Sequence, residues 1–199
     1  MIVHPESTMT HDHKTSLCSC QRPWGTNSKA EIMEFAHDEH REVYKRVGIY
    51  LRELFDESLY HDQQSGHFYV TYGSTVLEIS VDPHGAEEVM VMIMAYCVQG
   101  VEIDDELLLG LLESNHSLPF GAFSVVGNDI YFQHALFGRT LERSNLLNAV
   151  SAVADISDEY DDAISATFGG QRALDRIRTT GGRRRRQERR RSEPPHQVN

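Results

Sequence analysis

Leu118-Pro119-Phe120-Gly121-Ala122-Phe123-Ser124-Val125-Val126-Gly127-Asn128-Asp129-Ile130-Tyr131-Phe132 is the stretch that decides the fold. Pro119 forbids a helix from continuing, and Gly121 permits a tight entry into the next element. Phe120–Val126 and Ile130–Phe137 then flank Gly127-Asn128-Asp129, a strong hairpin signal. A helix must therefore end before Pro119, and two antiparallel strands must follow it. Hairpins of this kind build antiparallel sheets.

Upstream, the apolar period separates helix from strand. Val43, Val47, Tyr50, Leu51 and Leu54 recur at steps of three and four, predicting an amphipathic helix from Ile32 to about Leu59. After Gln63–Gly66 the period becomes two. Phe68, Val70 and Tyr72 alternate with Tyr69 and Thr71, and Gly73-Ser74 supplies a turn. Leu77, Ile79 and Val81 mark a second strand, which Asp82-Pro83-His84-Gly85 is expected to end. A third strand runs from Glu88 to Val98. Asp104 and Asp105 suit a helix start, with Leu107, Leu108, Leu111 and Leu112 as its apolar face. A final long helix carries Leu146, Val150, Val153, Ser157, Tyr160 and Ile164 on one stripe, and a short helix over 171–178 follows Gly169-Gly170.

The fold class read from this order is α+β: an antiparallel five-stranded sheet with helices mainly on one face. Its order is α-β-β-β-α-β-β-α plus a short C-terminal helix. Residues 1–30 read as a disordered leader, 31–180 as the domain and 181–199 as a flexible tail.

Charge divides the chain in two. The whole carries 19 basic and 30 acidic residues, a net charge of −11. The tail holds Arg183, Arg184, Arg185, Arg186, Arg189, Arg190 and Arg191 against Glu188 and Glu193. Residues 1–180 thus keep 12 basic and 28 acidic groups, a balance of −16. Such a body repels nucleic acid and anionic membrane at long range. The tail is all Arg, which suits phosphate contacts, but no aromatic interleaves it for base stacking. It reads as a solvated tail, a weak anion or RNA contact, or a segment that docks on its own acidic body.

The first residues, Met1-Ile2-Val3-His4-Pro5-Glu6-Ser7, lack a basic and then apolar export signal. The longest apolar run, Val89 to Val98, is half the ~20 residues a membrane helix needs. Three cysteines, with Cys97 inside an apolar strand, fit a reduced cytoplasm.

Function signals are few. In the third strand Met90, Met92 and Met94, followed by Tyr96 and Val98, share one face, while Val89, Val91, Ile93, Ala95 and Cys97 share the other. A one-sided antiparallel sheet should have a polar face. Either helices cover this strand on both sides, or another chain, a second copy or a client, covers the Met face. Methionine adapts to varied apolar partners. Val70 and Tyr72 are candidate neighbours of that surface, and client backbone adding to a sheet edge is a further possibility.

Asp155, Asp158, Glu159, Asp161 and Asp162 sit near a helix end that favours cations, as a solvated face or a docking surface for a cation or basic client. His11, His13, Cys18 and Cys20, with His37 and His40, have gaps unlike zinc-site spacing, so no metal is assigned. His84, His116 and His134 sit in no nucleophile elbow, phosphate loop or His-Glu-x-x-His pair. No catalytic residue and no cofactor is assigned, and the chain reads as a non-enzyme.

Leu118-Pro119-Phe120-Gly121-Ala122-Phe123, Asp158-Glu159-Tyr160-Asp161-Asp162 and Gly169-Gly170-Gln171-Arg172-Ala173-Leu174-Asp175-Arg176, with Tyr72-Gly73-Ser74, together resemble YbjN-domain proteins. The nearest likeness is to the type III secretion chaperone-like, peptide-binding branch common in cyanobacteria. The resemblance covers about residues 33–178. It implies a chaperone-like fold with the element order above, homodimerisation, and binding of an extended client peptide without nucleotide hydrolysis. It defines no catalytic residues. The function expected is a protein- or peptide-binding chaperone-like module acting through an apolar sheet face. The alternative is a regulatory or RNA-associated protein using the tail.

Overall fold

Helix α1 (Asp38–Phe55) starts where the His37 ring accepts the backbone N–H of His40 at 3.2 Å, and Asp38 and Glu39 follow in its first turn. Those charges oppose the dipole as a helix start requires. In the computed structural model, which describes residues 34–73 and 75–172, Val43, Val47 and Leu51 line its buried stripe. The helix stops at Phe55, earlier than expected. A single 3-10 turn over Asp56–Ser58 leads directly into strand β1 (Leu59–His61).

Strands β2 (Phe68–Tyr72), β3 (Thr75–His84) and β4 (Glu88–Gln99) follow as antiparallel neighbours. Helix α2 (Asp105–Ser117) carries the chain away, capped by Asp104, whose Oδ1 accepts the Leu107 N–H at 2.8 Å. The hairpin of β5 (Ala122–Val126) and β6 (Asp129–Phe137) then brings β6 back beside β4. Helix α3 (Arg143–Phe168) precedes a two-residue strand, β7 (Gln171–Arg172).

The sheet order is β1-β2-β3-β4-β6-β5, with β7 paired to the end of β4. The class is α+β with an antiparallel sheet and three helices, but the sheet has seven strands rather than five. The two extra strands are too short to show an alternation. β1 is laid down by pairing Leu59, Tyr60 and His61 with Val70, Tyr69 and Phe68. β7 is held by Val98 and Gln99 and by an Arg172–Asp162 ion pair at 2.9 Å. Gln171 and Arg172 are therefore strand where a helix over 171–178 was expected; its remainder lies outside the described residues. The leader and the Arg-rich tail lie outside them as well.

The expected turn at Asp82–Gly85 also shifts. β3 continues through Pro83 and His84, and the chain reverses over Gly85–Glu87. Proline is tolerated there because β2 stops at the Phe68–Ile79 pair, which leaves later β3 residues with one neighbouring strand. On that vacant side His40 Nε2 bonds the Val81 carbonyl at 2.9 Å, tying α1 to the sheet.

One core lies between the sheet and its helices. Leu77, Ile79 and Val81 of β3, the odd-numbered residues Val89–Cys97 of β4, and Ile130 and Phe132 of β6 face Val43, Val47, Leu51, Leu146, Val150 and Val153. Each fully buried Val, Leu or Ile contributes about 1.5–3 kcal/mol. Val98 does not follow Met90, Met92, Met94 and Tyr96 as alternation suggested: a bulge between Tyr96 and Val98 resets the register, so Val98 pairs with Ile130 and lies in the core.

Candidate functional site

Register alone builds the other face of the sheet. Met90 pairs with Phe137, Met92 with Ala135, Met94 with Gln133 and Tyr96 with Tyr131. Across the opposite flank of β4, Asp82 pairs with Met90, Ser80 with Met92 and Glu78 with Met94. Because side chains alternate, all of these leave the helix-covered side. The helices pack their buried stripes into the single core on the far side. Among the described residues, the reading of β4 as covered by helices on both sides is therefore replaced by an open face.

Not all of that face is accessible. Met94 (5% exposed) and Tyr96 (8%) are buried in a small cluster with Tyr131. Met90 and Met92 are half-buried, and Phe137 is 62% exposed. The accessible apolar strip is thus Met90, Met92, Ala135 and Phe137. Sequence reasoning missed Phe137, although β6 alternation with Tyr131 pointed to it. Val70 and Tyr72 do not adjoin the strip. Val70 pairs with Leu77 and is wholly inside the core, against which Tyr72 also packs. Tyr69 and Thr71 take the open-face positions of β2, and Tyr69 pairs with Glu78.

The β2–β3 half of the face is polar. His67 Nδ1 lies 2.7 Å from Glu78 Oε1, and the Tyr96 hydroxyl donates to Glu78 Oε2. Burial alone would raise the Glu78 carboxyl, but the hydrogen bonds from His67 and Tyr96 outweigh it and hold the group below its usual range. Burial alone would lower His67. The hydrogen bond and charge of Glu78, with Asp82 and Asp62 nearby, outweigh that and raise it. Burial, reinforced by the Glu78 charge, pushes the Tyr96 hydroxyl well up. Ser80 Oγ donates to Asp82 Oδ2 at 2.6 Å. The Tyr96 and Tyr131 rings meet edge to face at 5.2 Å, and Tyr60 and Tyr69 lie 6.1 Å apart.

The sheet's outer edges are limited. β1 offers three residues. On β5, the Asn115 carboxamide accepts the Phe123 N–H at 2.6 Å and donates to the Phe123 carbonyl at 3.2 Å. One side chain of α2 thereby fills both backbone groups that Phe123 turns away from β6.

Helix α2 holds a second apolar surface. Leu107 and Leu111 are buried, but Leu108 is exposed, and so are Leu109 (58%) and Leu112 (65%). The four-leucine face expected from spacing is therefore split, with Leu107 and Leu111 turned inward and Leu108 and Leu112 outward.

Burial pushes the Cys97 thiol up to about 12, and its sulfur contacts Ser157 Oγ at 3.1 Å, so it stays a thiol. His84, His116 and His134 sit on β3, α2 and β6, and His134 packs edge-on against Phe120. His37 and His40 are spent on capping and tethering α1, and among the described residues no three His, Cys, Asp or Glu side chains group as a metal site. His11, His13, Cys18, Cys20 and Arg183–Arg191 lie outside the described residues. No helix among the described residues is long and apolar enough to cross a membrane.

The acidic end of α3 divides between solvent and core. Asp162 pairs with Arg172, whereas Asp161 is 3% exposed and its Oδ1 has no hydrogen-bond partner. Burial, then the charges of Asp162 and Asp158, push its carboxyl up to about 6. A raised carboxyl favours the fold when protonated, and that advantage is lost as pH rises through the folded value. Asp161→Asn should therefore stabilise the domain by about 1–2 kcal/mol at pH 7.5, allowing for solvent screening, and by nothing near pH 3.8. Urea midpoints at the two pH values check this; no gain at pH 7.5 contradicts it.

A search of curated proteins returned no match. Among solved structures, one chain of the HopA1–SchA chaperone–effector complex is similar at 12% identity and a TM-score of 0.43, over 59% of this chain and 97% of that one. Residues 41–176, most of the chain, match the family described as "T3SS (YopN, CesT) and YbjN peptide-binding chaperone 1". With the fold carried by those same residues, the chain belongs to this family of peptide-binding chaperones, TY-Chap1.

Proposed function

We propose that the chain is a non-enzymatic chaperone-like module of the cytoplasm that holds a client segment on its open sheet face and works as a homodimer. The observation that carries this reading is the uncovered strip Met90, Met92, Ala135 and Phe137, lying in register on two central strands. Family membership supports a peptide-binding role. Apolar surface of this kind, left in water, marks an interaction site, and thioether side chains repack around different partners.

Two separate apolar surfaces divide the work. Leu108, Leu109 and Leu112 sit on α2, beyond β5, while the Met strip lies on β4 and β6. Self-association belongs to α2, which leaves the Met strip to the client. Binding is face-on, because Asn115 occupies the β5 edge and β1 is short.

The test uses the full chain with a reduced, alkylated and permanently unfolded model protein as probe. Size exclusion with light scattering should give a dimer that Leu112→Glu converts to a folded monomer still able to hold the probe. Met92→Glu should keep the dimer and its circular dichroism while probe binding drops at least about tenfold. A dimer lost with Met92→Glu would reassign the strip to self-association. Unfolding by both Met92→Glu and the milder Met92→Gln would make the strand plain core and end the reading.

A further inference from the structure

We infer that a cleft at the C-terminal end of α1 is the seat of the chain's own residues 173–178. This does not depend on where a client binds.

The direction in which the chain leaves β7 points there. At the end of β4, Val98 and Gln99 pair with Ile130 and Asp129 of β6 on one side, and with Arg172 and Gln171 on the other. That second side belongs to β3 from the Leu77–Ala95 pair onward. β7 is antiparallel to β4, as β3 is, so it lies in line with β3 and runs toward its start. By the same register Thr75, two residues before Leu77, stands level with Cys97. The residue after Arg172 therefore meets the first residue of β3, and the chain must leave the sheet. It leaves on the helix side. Arg172 stands opposite Val98, whose side chain lies in the core, and its guanidinium reaches Asp162 of α3 at 2.9 Å.

The cleft opens just beyond, between the end of α1, the β2–β3 turn and α3. Leu54, Phe55, Asp56, Tyr72, Leu147 and Ser151 are among the residues that line it. One flank of α3 leads into it: Asp162, Asp158, Asp155 and Ser151 follow one another at steps of four, three and four. That flank is about 16 Å long at the rise of a helix, and six extended residues reach about 20 Å.

Ala173-Leu174-Asp175-Arg176-Ile177-Arg178 has the chemistry this path asks for. Leu174 and Ile177 suit the apolar wall of Leu54, Phe55 and Leu147, the last of them 36% exposed. Arg176 and Arg178 suit Asp158 and Asp155. Both carboxylates are exposed, and neither forms an ion pair among the described residues, whereas Asp162 already meets Arg172. The last turn of α3 holds no basic residue, although a helix favours cations at that end. Thr75 marks the entrance. It is 2% exposed, and its Oγ1 has no hydrogen-bond partner among the described residues. A backbone group of the arriving chain supplies one. Seated there, the segment closes the cleft to other chains.

The test is a cross-link in the full chain, with Cys18→Ser and Cys20→Ser so that buried Cys97 is the one other thiol. Oxidation of Ser151→Cys with Ile177→Cys should close an intramolecular disulfide at least about tenfold faster than Glu102→Cys with Ile177→Cys. Glu102 is a fair control because it is exposed and its neighbour Val101 lies against Gly170, within easy reach of β7 but behind it. Trypsin gives a second reading on the unaltered chain. Cleavage after Arg176 and Arg178 should lag cleavage after Arg183–Arg186 at least about tenfold, and Leu174→Gln with Ile177→Gln should abolish the lag. Equal cross-linking at positions 151 and 102 overturns the inference, and so does cleavage without a lag. A disulfide joining two chains would seat a second copy's segment in the cleft, which also overturns it.

Discussion

Gly121→Ala should cost about 3–5 kcal/mol, a large share of the 5–15 kcal/mol that holds an ordinary domain together. Gly121 has φ +69°, where an L side chain is strained by about 1–3 kcal/mol. An added Cβ would also fall 2.6 Å from Phe132 Cζ and 2.9 Å from the Gln133 carbonyl oxygen. Neither neighbour can yield easily. Phe132 is fully buried at the centre of the core, and Gln133 is paired with both Met94 and Ala122. Overpacking of this kind adds about 1–3 kcal/mol. Gly127→Ala is the control: its φ is +63°, but nothing lies within 4 Å of its would-be Cβ. Urea melts should place Gly121→Ala well below Gly127→Ala. Equal losses would show that Phe132 has room to move.

Removing the charge of Glu78 should have the second large effect, and one that depends on pH. Glu78→Gln takes the carboxylate from His67 and from the nearly buried Tyr96 hydroxyl, at a cost of about 2–3 kcal/mol. The folded Glu78 carboxyl lies below its ordinary 4.5, so its contribution is present above pH 4.5 and lost as pH falls through the folded value. Folded His67 lies above its ordinary 6.5, so its contribution is full below pH 6.5 and lost as pH rises through the folded value. The stability difference between the parent chain and Glu78→Gln should peak between pH 4.5 and 6.5 and shrink by pH 8.5. A difference flat from pH 4 to 9 would mean that the pair carries no charge.

Elements with long, clean periods were readable from residues alone. Five of the strands, the cap at Asp104 and the Gly127-Asn128 turn follow from alternation, carboxylate placement and turn chemistry. β1 and β7 do not, because three and two residues cannot display a period; their neighbours put them in the sheet. The Met face was readable because β4 is long enough to separate two faces. Its neighbours were harder. Val70 and Tyr72 look like open-face residues until the hairpin pairs Tyr72 with Thr75, which forces Val70 opposite Leu77 and into the core. The split of the α2 leucines depends on how the helix is rotated against β5, which spacing within α2 does not specify.

Asn115 has a consequence for how the sheet meets other chains. A protein that keeps extended chains at hand risks becoming a template, since any long row of unpaired backbone groups lets strands stack onto it and grow into fibres. Here one outer edge is three residues long, and the other is interrupted at its middle by a carboxamide that imitates a neighbouring strand without being one. At Phe123 the backbone groups that a further strand would need are already taken. The two outermost strands are thereby poor templates for a further strand.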